Sequence, residues 1–204
     1  MKSKQNVTVL VILGVVIIVG ALKLLLFTGH KAMDSVAARS KGNPQAKVQI
    51  IEFIDFECPA CAAGAKILKE YMDKHPGDIR VQVKYFPLIK THRHAMQVAL
   101  YSECAGRQGK FWPFHELLMP AQQQWSPLVS AEPMFRNYAN EVGINLGELD
   151  RCMASDDALK TINDDRSLGQ SLGVQSTPTY FINNKMVVGG KSLKDELDSI
   201  FAEK

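Results

Sequence analysis

The sequence predicts an α/β protein in which an all-helical segment is inserted into a sheet-forming domain, preceded by one N-terminal membrane-spanning helix. Three observations support this fold class. Residues 47–86 show strand, helix and strand patterns in turn, residues 92–172 show only helix-period apolar spacing, and strand patterns return after residue 173. The chain therefore contains a βαβ unit, a helical block and a closing ββα unit.

Composition and charge exclude several classes of protein. The chain has 204 residues, and its apolar fraction of 46% is too high for a disordered protein. Four cysteines are too few for a small disulfide-stapled scaffold. The formal net charge is +3, but six basic residues and one acid lie before residue 45, so the remainder carries 18 basic and 20 acidic side chains. A nearly neutral globular part gives no electrostatic basis for binding nucleic acid.

An apolar segment near the N-terminus predicts a membrane anchor. Residues 7–27 are apolar except for Thr8, Lys23 and two glycines, and 21 helical residues span a hydrocarbon core of about 30 Å. We favour a retained anchor over a cleaved signal peptide, because cleavage after Ala21 would leave a strongly apolar new terminus. A buried core helix is the third interpretation, and the lack of a polar face disfavours it.

The flanking residues predict the orientation and the domain boundaries. Residues 1–6 contain two lysines, which favours a short cytoplasmic N-terminus. Residues 28–44 lack apolar periodicity and are predicted to be a linker. After it we expect a sheet-containing domain made of residues 45–90 and 173–204, with residues 91–172 as its helical insertion.

The first three elements follow from the spacing of apolar residues. Residues 47–56 are rich in β-branched and aromatic side chains and predict a strand buried on both faces. Residues 59–75 predict a helix, and residues 79–86 predict a second strand, parallel to the first. The apolar stripe of the helix is formed by Cys61, Ala65, Leu68 and Met72.

The rest of the chain predicts helices followed by two short strands. The helices of the insertion are indicated by three apolar stripes: Met134, Phe135, Tyr138 and Val142; Leu146, Leu149 and Met153; and Ile162, Leu168 and Leu172. Residues 179–182 and 186–188 predict strands joined by a turn at residues 183–184. Ser192 is the expected N-cap of a last helix that runs to Phe201.

Two cysteines at the junction of the first strand and its helix are the candidate catalytic residues. In Cys58-Pro59-Ala60-Cys61, proline at the first helical position makes Cys58 the expected N-cap. A thiolate there faces unpaired N–H groups and the positive end of the helix dipole, and such cysteines have pKa values of about 3.5–7.5. Because a stabilised thiolate favours the reduced form, the disulfide is oxidising. Cys61 lies one turn later on the apolar stripe, so we expect an exposed attacking sulfur and a shielded resolving one.

The two simpler interpretations of the cysteine pair are a zinc site and inert buried thiols. A zinc site needs a second pair of ligands, but Cys104 and Cys152 are far apart in sequence, and His92 and His94 do not share a helix face. We therefore expect no metal and no other cofactor. Inert buried thiols are the remaining alternative.

One acidic residue in the first strand is a candidate proton carrier. Glu52 is the only charged residue on a strand face that is otherwise apolar, where a carboxylate is unfavourable unless it is paired or functional. We expect it to exchange a proton with Cys61, with Lys84 on the neighbouring strand as its counter-ion. The alternative is a glutamate at the end of a strand that reaches solvent.

Two segments resemble a known family. Residues 51–61 (IEFIDFECPAC) and residues 176–182 (STPTYFI) are similar to the DsbA-like branch of the thioredoxin-fold thiol:disulfide oxidoreductases. The resemblance covers about residues 45–204 and implies a thioredoxin-like fold with a helical insertion.

The resemblance also implies roles for particular residues. Pro178 is expected to be cis and to lie against the cysteine pair, and Thr177 to offer backbone groups to an extended substrate. With Pro59 and Ala60 they form the expected substrate-binding surface. Glu52 falls where the family has its buried acid.

Two departures from the family pattern leave the redox balance open. Pro59-Ala60 replaces the Pro-His pair of strongly oxidising members, which removes one source of thiolate stabilisation. Thr177 also precedes the cis-proline in isomerase-type relatives. Fewer than 20 residues separate the predicted anchor from the first strand, which disfavours the dimeric isomerase architecture.

The two remaining cysteines lie in the helical block. In an oxidising compartment two such cysteines pair more often than they stay free, so we expect a structural disulfide between Cys104 and Cys152. Two separate buried thiols and a second redox relay are the alternatives.

The sequence thus predicts a membrane-anchored thiol:disulfide oxidoreductase that introduces disulfides into exported proteins. A client thiolate attacks Cys58, and resolution by the second client thiol leaves Cys58 and Cys61 reduced. The resemblance implies a DsbB-like membrane partner that reoxidises the pair, and this chemistry favours a single-pass protein of the inner cell membrane with its catalytic domain on the periplasmic side. The alternatives are a reductase or isomerase on the same fold, and a non-catalytic chaperone module that binds peptides beside Pro178.

Overall fold

The computed structural model describes residues 36–202 and confirms the predicted α/β class with a helical insertion. In chain order its elements are β1 (Ser40–Gly42), β2 (Val48–Ile54), α1 (Pro59–Lys74), β3 (Ile79–Tyr85), α2 (Ala95–Arg107), α3 (Phe111–Leu118), α4 (Gln122–Trp125), α5 (Glu132–Glu141), α6 (Leu146–Met153), α7 (Asp156–Ser171), β4 (Thr179–Ile182), β5 (Lys185–Val188) and α8 (Gly189–Ala202). The predicted cytoplasmic residues 1–6 and the predicted anchor 7–27 lie outside the described residues. Within residues 36–202, no helix has the length and apolar character needed to cross a bilayer.

The five strands form one sheet in the order β1-β3-β2-β4-β5. Strands β2 and β3 are parallel, as the βαβ pattern predicts, whereas β1 is antiparallel to β3 and β4 is antiparallel to β2 and β5. The chain leaves the sheet after β3, forms the helices of the insertion, and returns as β4 at the free edge of β2.

Residues 28–44 were predicted to be a linker along their whole length, but residues 40–42 form strand β1. Ser40 pairs with Gln82 and Gly42 with Arg80, so the end of this segment forms an edge of the sheet. Three residues are too few to show alternation, and their side chains are not buried. Gly42 has φ of 100°, and a Cβ atom there would overlap the carbonyl oxygen of Ile79.

Helices cover both faces of the sheet. On one face α1 and α8 pack against β2, β3 and β4, with Leu68, Tyr71, Leu193 and Leu197 in the core. On the other face lies the end of α7, where Gly169 has no side chain and so lets the helix approach Phe53 and Phe86. Helix α7, predicted as part of the insertion, therefore also forms a layer of the sheet domain.

The insertion shares a continuous core with the end of the sheet where β2 and β3 finish. Phe56 and Tyr85 pack against Phe111 of α3, and the cluster continues through the insertion. Cys104 of α2 and Cys152 of α6 form a disulfide with an S–S distance of 2.02 Å, the pairing that the sequence analysis favours.

Three local predictions are wrong in detail. Helix α8 begins at Gly189, so Ser192 is not its N-cap. Gly64 and Tyr71 belong to the buried stripe of α1, whereas Ala65 and Met72 are only half-buried at its edge. Strand β2 is buried on both faces only in part, since Ile51 is exposed.

Candidate active site

Cys58 occupies the position that the sequence predicts. Its backbone is extended, with φ of −74° and ψ of 120°, and it precedes Pro59 as the N-cap of α1. Both Cys58 and Cys61 are free thiols. Cys58 is 9% exposed and Cys61 is fully buried, so the attacking sulfur is more accessible than its partner but less exposed than expected.

The surroundings of Cys58 stabilise its thiolate. The Cys61 thiol contributes most by donating a hydrogen bond, and the Thr177 side chain and the backbone N–H groups of Ala60 and Cys61 add to it. Together they outweigh partial burial and lower the pKa of Cys58 to about 5. In the thiol form, Cys58 donates to the carbonyl oxygen of Thr177 at 3.4 Å.

Cys61 has the opposite tendency. Burial and the neighbouring Cys58 raise its pKa well above that of an ordinary thiol, and the charge of Glu52 adds to the effect. One cysteine is therefore a thiolate at neutral pH and the other a thiol. This division suits nucleophilic attack by Cys58 and resolution by Cys61.

The segment before β4 lies beside the dithiol, as the family resemblance implies. The peptide bond between Thr177 and Pro178 is cis. Pro178 packs against α1, since its Cγ atom would lie 3.5 Å from a Cβ atom at Gly64. Thr177 is 8% exposed and has its carbonyl group at the Cys58 sulfur.

Glu52 lies beneath α1 on the face of the sheet that this helix covers. It is 2% exposed, and burial raises its pKa to about 8, an effect that the Tyr180 hydroxyl partly offsets. Glu52 also lines a cavity of about 780 Å³ between α1 and α3. A carboxyl group with this pKa can exchange a proton near neutral pH.

The prediction that Lys84 is the counter-ion of Glu52 is wrong. In the parallel register, Glu52 is opposite Val83 and Lys84 is opposite Phe53, so the two charged side chains point to opposite faces of the sheet. Lys84 instead forms an ion pair with Asp165 of α7 at 2.8 Å. It therefore stabilises the packing of α7 on the sheet and does not touch the site.

Two acids that were not predicted from the sequence, Asp55 and Glu57, order the turn before Cys58. The Asp55 carboxylate accepts hydrogen bonds from the backbone N–H groups of Glu57 at 2.8 Å and Leu88 at 2.7 Å, and it contacts Nδ1 of His92 at 2.8 Å. The Glu57 carboxylate accepts from the backbone N–H of His94 at 2.6 Å. Asp55 could have been predicted from sequence, because it is an acid that directly follows a buried strand and lies just before the two cysteines.

A third missed residue comes from the insertion. Nε2 of Gln122 in α4 donates to the carbonyl oxygens of Phe56 at 2.7 Å and Cys58 at 2.9 Å. Gln122 is 3% exposed, so these bonds are shielded from water. No sequence signal connects Gln122 to residues so distant along the chain.

The fold and the site together define a class, the thioredoxin-fold proteins that carry two cysteines at the start of the first helix of the sheet domain. A family profile described as thioredoxin matches residues 34–200, and the chain belongs to that family.

Solved structures confirm the resemblance to DsbA-like proteins at the level of the fold. They include a thioredoxin-like oxidoreductase from Silicibacter pomeroyi (25% identity, TM-score 0.66, covering 83% of this chain and 97% of that one), α-DsbA1 from Wolbachia pipientis (19%, 0.68, 81% and 91%) and BdbD from Bacillus subtilis (24%, 0.64, 79% and 91%).

Curated relatives share the domain within longer chains. The Na(+)/H(+) antiporter NhaA 1 of Mycolicibacterium gilvum is 30% identical over 159 residues, which are 76% of this chain and 25% of the antiporter. NhaA 3 of Salinispora tropica is 28% identical over 145 residues, 71% of this chain and 21% of that protein. The chain thus spans about a quarter of the length of the curated relatives it matches.

Proposed function

We propose that the protein is a thiol:disulfide oxidoreductase of the DsbA type that introduces disulfides into exported proteins. The observation that carries this proposal is the stabilised thiolate of Cys58, whose pKa is lowered from 9 to about 5. An ordinary thiol is still protonated at pH 7, so only the difference between pH 7 and the Cys58 pKa of about 5 contributes at this pH. This difference of about two pH units favours the reduced form by about 3 kcal/mol, or about 60 mV. The Cys58–Cys61 disulfide is correspondingly oxidising.

The geometry supports a two-step exchange. A client thiolate attacks the sulfur of Cys58 in the disulfide, and Cys61 leaves as a thiolate that takes up a proton from Glu52. The second client thiolate then attacks the client sulfur of the mixed disulfide, and Cys58 leaves as a stable thiolate. The client loses two electrons and gains a disulfide, while the dithiol gains both electrons.

The dithiol must be reoxidised before a second turnover, and we propose that this reoxidation takes place at the membrane. The apolar segment 7–27 supports an anchor that holds the catalytic domain on the extracytoplasmic side, with a DsbB-like membrane protein as the oxidant. The occurrence of this domain in proteins named as sodium/proton antiporters also supports a membrane setting.

The proposal is tested by alkylating the reduced protein as a function of pH. We expect a reaction midpoint near pH 5 for the fast thiol and loss of that phase in Cys58→Ser, the control that assigns it. A midpoint near 8.5, the value of an ordinary thiol, would remove the basis for an oxidising disulfide. The variant Cys61→Ser should accumulate mixed disulfides between Cys58 and exported proteins, visible on diagonal non-reducing gels.

A reductase or isomerase on the same site is the second candidate, favoured by the Pro59-Ala60 pair between the cysteines. Its test is the reduction potential of the couple, measured against glutathione. A value near −120 mV, that of DsbA, supports client oxidation, and a value near −270 mV, that of thioredoxin, supports reduction.

A further inference from the structure

Tyr180, to which the sequence analysis assigned no role, lies directly across the sheet from Glu52. The two residues are cross-strand partners of β4 and β2, so their side chains point to the same face. Tyr180 is fully buried and Glu52 is 2% exposed. Because Tyr180 follows Pro178 by two residues, it belongs to the segment that lies beside the dithiol.

Helix α1 leaves space for the Tyr180 hydroxyl beneath the cysteines. Gly64 lies on the inward stripe one turn after Cys61, and a Cβ atom there would overlap the hydroxyl oxygen. Burial raises the pKa of Tyr180 far above its ordinary value, and the charges of Glu52, Cys61 and Cys58 raise it further. The phenol therefore stays protonated through the reaction and acts as a hydrogen-bond donor.

Other elements present few charges to Glu52 in the described part of the chain. Helix α1 presents Cys58 and Cys61, and β3 presents Val83. Helix α3 presents His115, which lines the same cavity and is uncharged, because burial lowers its pKa to about 4. The charged residues at the cavity rim are Lys41, Lys66, Lys69, Asp73 and Glu116.

Within residues 36–202, Oε1 of Glu52 and the Tyr180 hydroxyl are both buried without a hydrogen-bond partner. The Tyr180 hydroxyl nevertheless lowers the pKa of Glu52 against the effect of burial. We propose that Tyr180 is a positioning residue for proton transfer between Glu52 and Cys61, and that its hydroxyl donates a hydrogen bond that holds the carboxylate beneath the Cys61 sulfur.

This inference rests on the proposed function, and it concerns the step that closes the disulfide. When the oxidant holds Cys58 in a mixed disulfide, the Cys61 thiol gives its proton to the Glu52 carboxylate. The Cys61 thiolate attacks the Cys58 sulfur, the new S–S bond forms, and the oxidant leaves as a thiolate that carries both electrons. Tyr180 loses no proton in this step, but without it the carboxylate lacks its donor.

The test compares Tyr180→Phe with Tyr85→Phe in the reduced protein. Tyr85 is a matched control, because it is also fully buried and its hydroxyl interacts with Glu103, whereas only Tyr180 affects the pKa of Glu52. The readout is the titration midpoint of the Glu52 side-chain carbon by NMR, assigned with Glu52→Gln. Loss of the donor should raise this midpoint by about 0.5–1 pH unit in Tyr180→Phe and leave it unchanged in Tyr85→Phe.

An unchanged midpoint in Tyr180→Phe would overturn the inference, as would an equal shift in Tyr85→Phe. Should Tyr180→Phe fail to fold, the parent protein still decides: the Tyr180 ring carbon that bears the hydroxyl should titrate with the Glu52 midpoint, and a flat profile would refute the contact. These readouts do not need client oxidation. An ordinary alkylation midpoint for Cys58 would therefore reject the proposed function, whereas the contact between Tyr180 and Glu52 is decided by the Glu52 titration midpoint alone.

Discussion

Glu52 shows how the surroundings of one residue set its charge at neutral pH. An exposed glutamate is ionised at pH 7 and holds no proton to give. Burial raises the pKa of Glu52 to about 8, so the group is mostly protonated at pH 7 and can supply a proton to the leaving sulfur of Cys61. The same burial must reduce the stability of the folded protein wherever the unfolded chain is ionised.

The variant Glu52→Gln tests this linkage. Between the unfolded pKa near 4.5 and the folded pKa near 8, the folded protein keeps a proton that the unfolded chain has lost, so stability falls as pH rises. An amide does not ionise, and the variant should therefore gain about 1–3 kcal/mol over the parent between pH 4.5 and pH 7. Urea unfolding of the reduced proteins at both pH values measures it, and parallel pH profiles would contradict the buried-acid assignment.

The residues of the site could be predicted from sequence only where a local pattern identifies them. The strand period identified Glu52 as a charge in an apolar row, and the strand-to-helix junction identified Cys58 and Cys61. Lys84 was misassigned because the side-chain period is two, so a register difference of one residue moves a side chain to the other face. Tyr180 has an ordinary strand pattern, and only the pairing of β4 with β2 brings it to Glu52.

At the scale of elements, the start of α1 is held from several sides. Asp55 and Glu57 accept backbone hydrogen bonds from the segment after β3, and Gln122 of α4 donates to the turn itself. The N-cap position that stabilises the Cys58 thiolate is thus maintained by the insertion as well as by the sheet. Preorganised support of this kind keeps backbone N–H groups directed at the sulfur.

Gln122→Ala should therefore destabilise the protein although Gln122 is far from the dithiol in sequence. The change removes the Gln122 donor from the carbonyl oxygen of Phe56, and it removes one of the donors to the carbonyl oxygen of Cys58, which still accepts from the backbone N–H groups of Cys61 and Ala62. The expected loss is about 2 kcal/mol. The neighbouring Gln123 is exposed, so Gln123→Ala is the matched control and should change stability by less than about 0.5 kcal/mol. Equal urea midpoints for the two variants would show that the Gln122 hydrogen bonds contribute nothing to stability.

The long elements were predictable and the shortest one was not. Helix α1 and strands β2 and β3 have enough residues for a period of 3.6 or 2 to be visible, and they fall within two residues of the predicted bounds. Strand β1 has three residues and is held by backbone pairing with β3, which leaves no side-chain pattern. The start of α8 was misplaced because Ser192 resembles an N-cap, whereas the helix begins directly after β5.

At the scale of the whole molecule, the redox state of the dithiol is linked to folding stability. A thiolate that the folded protein stabilises makes the reduced form more stable than it would be with an ordinary thiol, and the oxidised form lacks this contribution. Because the pKa of Cys58 is lower in the folded protein than in the unfolded chain, ionisation of Cys58 stabilises the folded reduced form. This stabilisation is complete above the unfolded pKa near 9 and is lost as pH falls through about 5.

We therefore expect reduction of the dithiol to stabilise the protein at pH 7. The difference between the unfolding free energies of the reduced and oxidised forms should shrink by about 3 kcal/mol as pH falls from 7 to below 5. Urea unfolding of both forms measures it, with mass analysis after alkylation to verify that the Cys104–Cys152 disulfide is intact in each sample. A difference that stays constant over this pH range would be incompatible with a stabilised Cys58 thiolate.

Arg39, just before β1, determines where a shortened version of this chain can begin. Its buried guanidinium pairs with Asp165, lies 3.7 Å from Glu103, and covers the Tyr85 ring at 4.6 Å. A truncation that starts after Arg39 would remove the cation shared by two buried carboxylates from different helices, and loss of one partner from such a cluster is strongly destabilising. Any shortened form that lacks residues 7–27 should therefore retain Arg39 together with the edge strand that follows it.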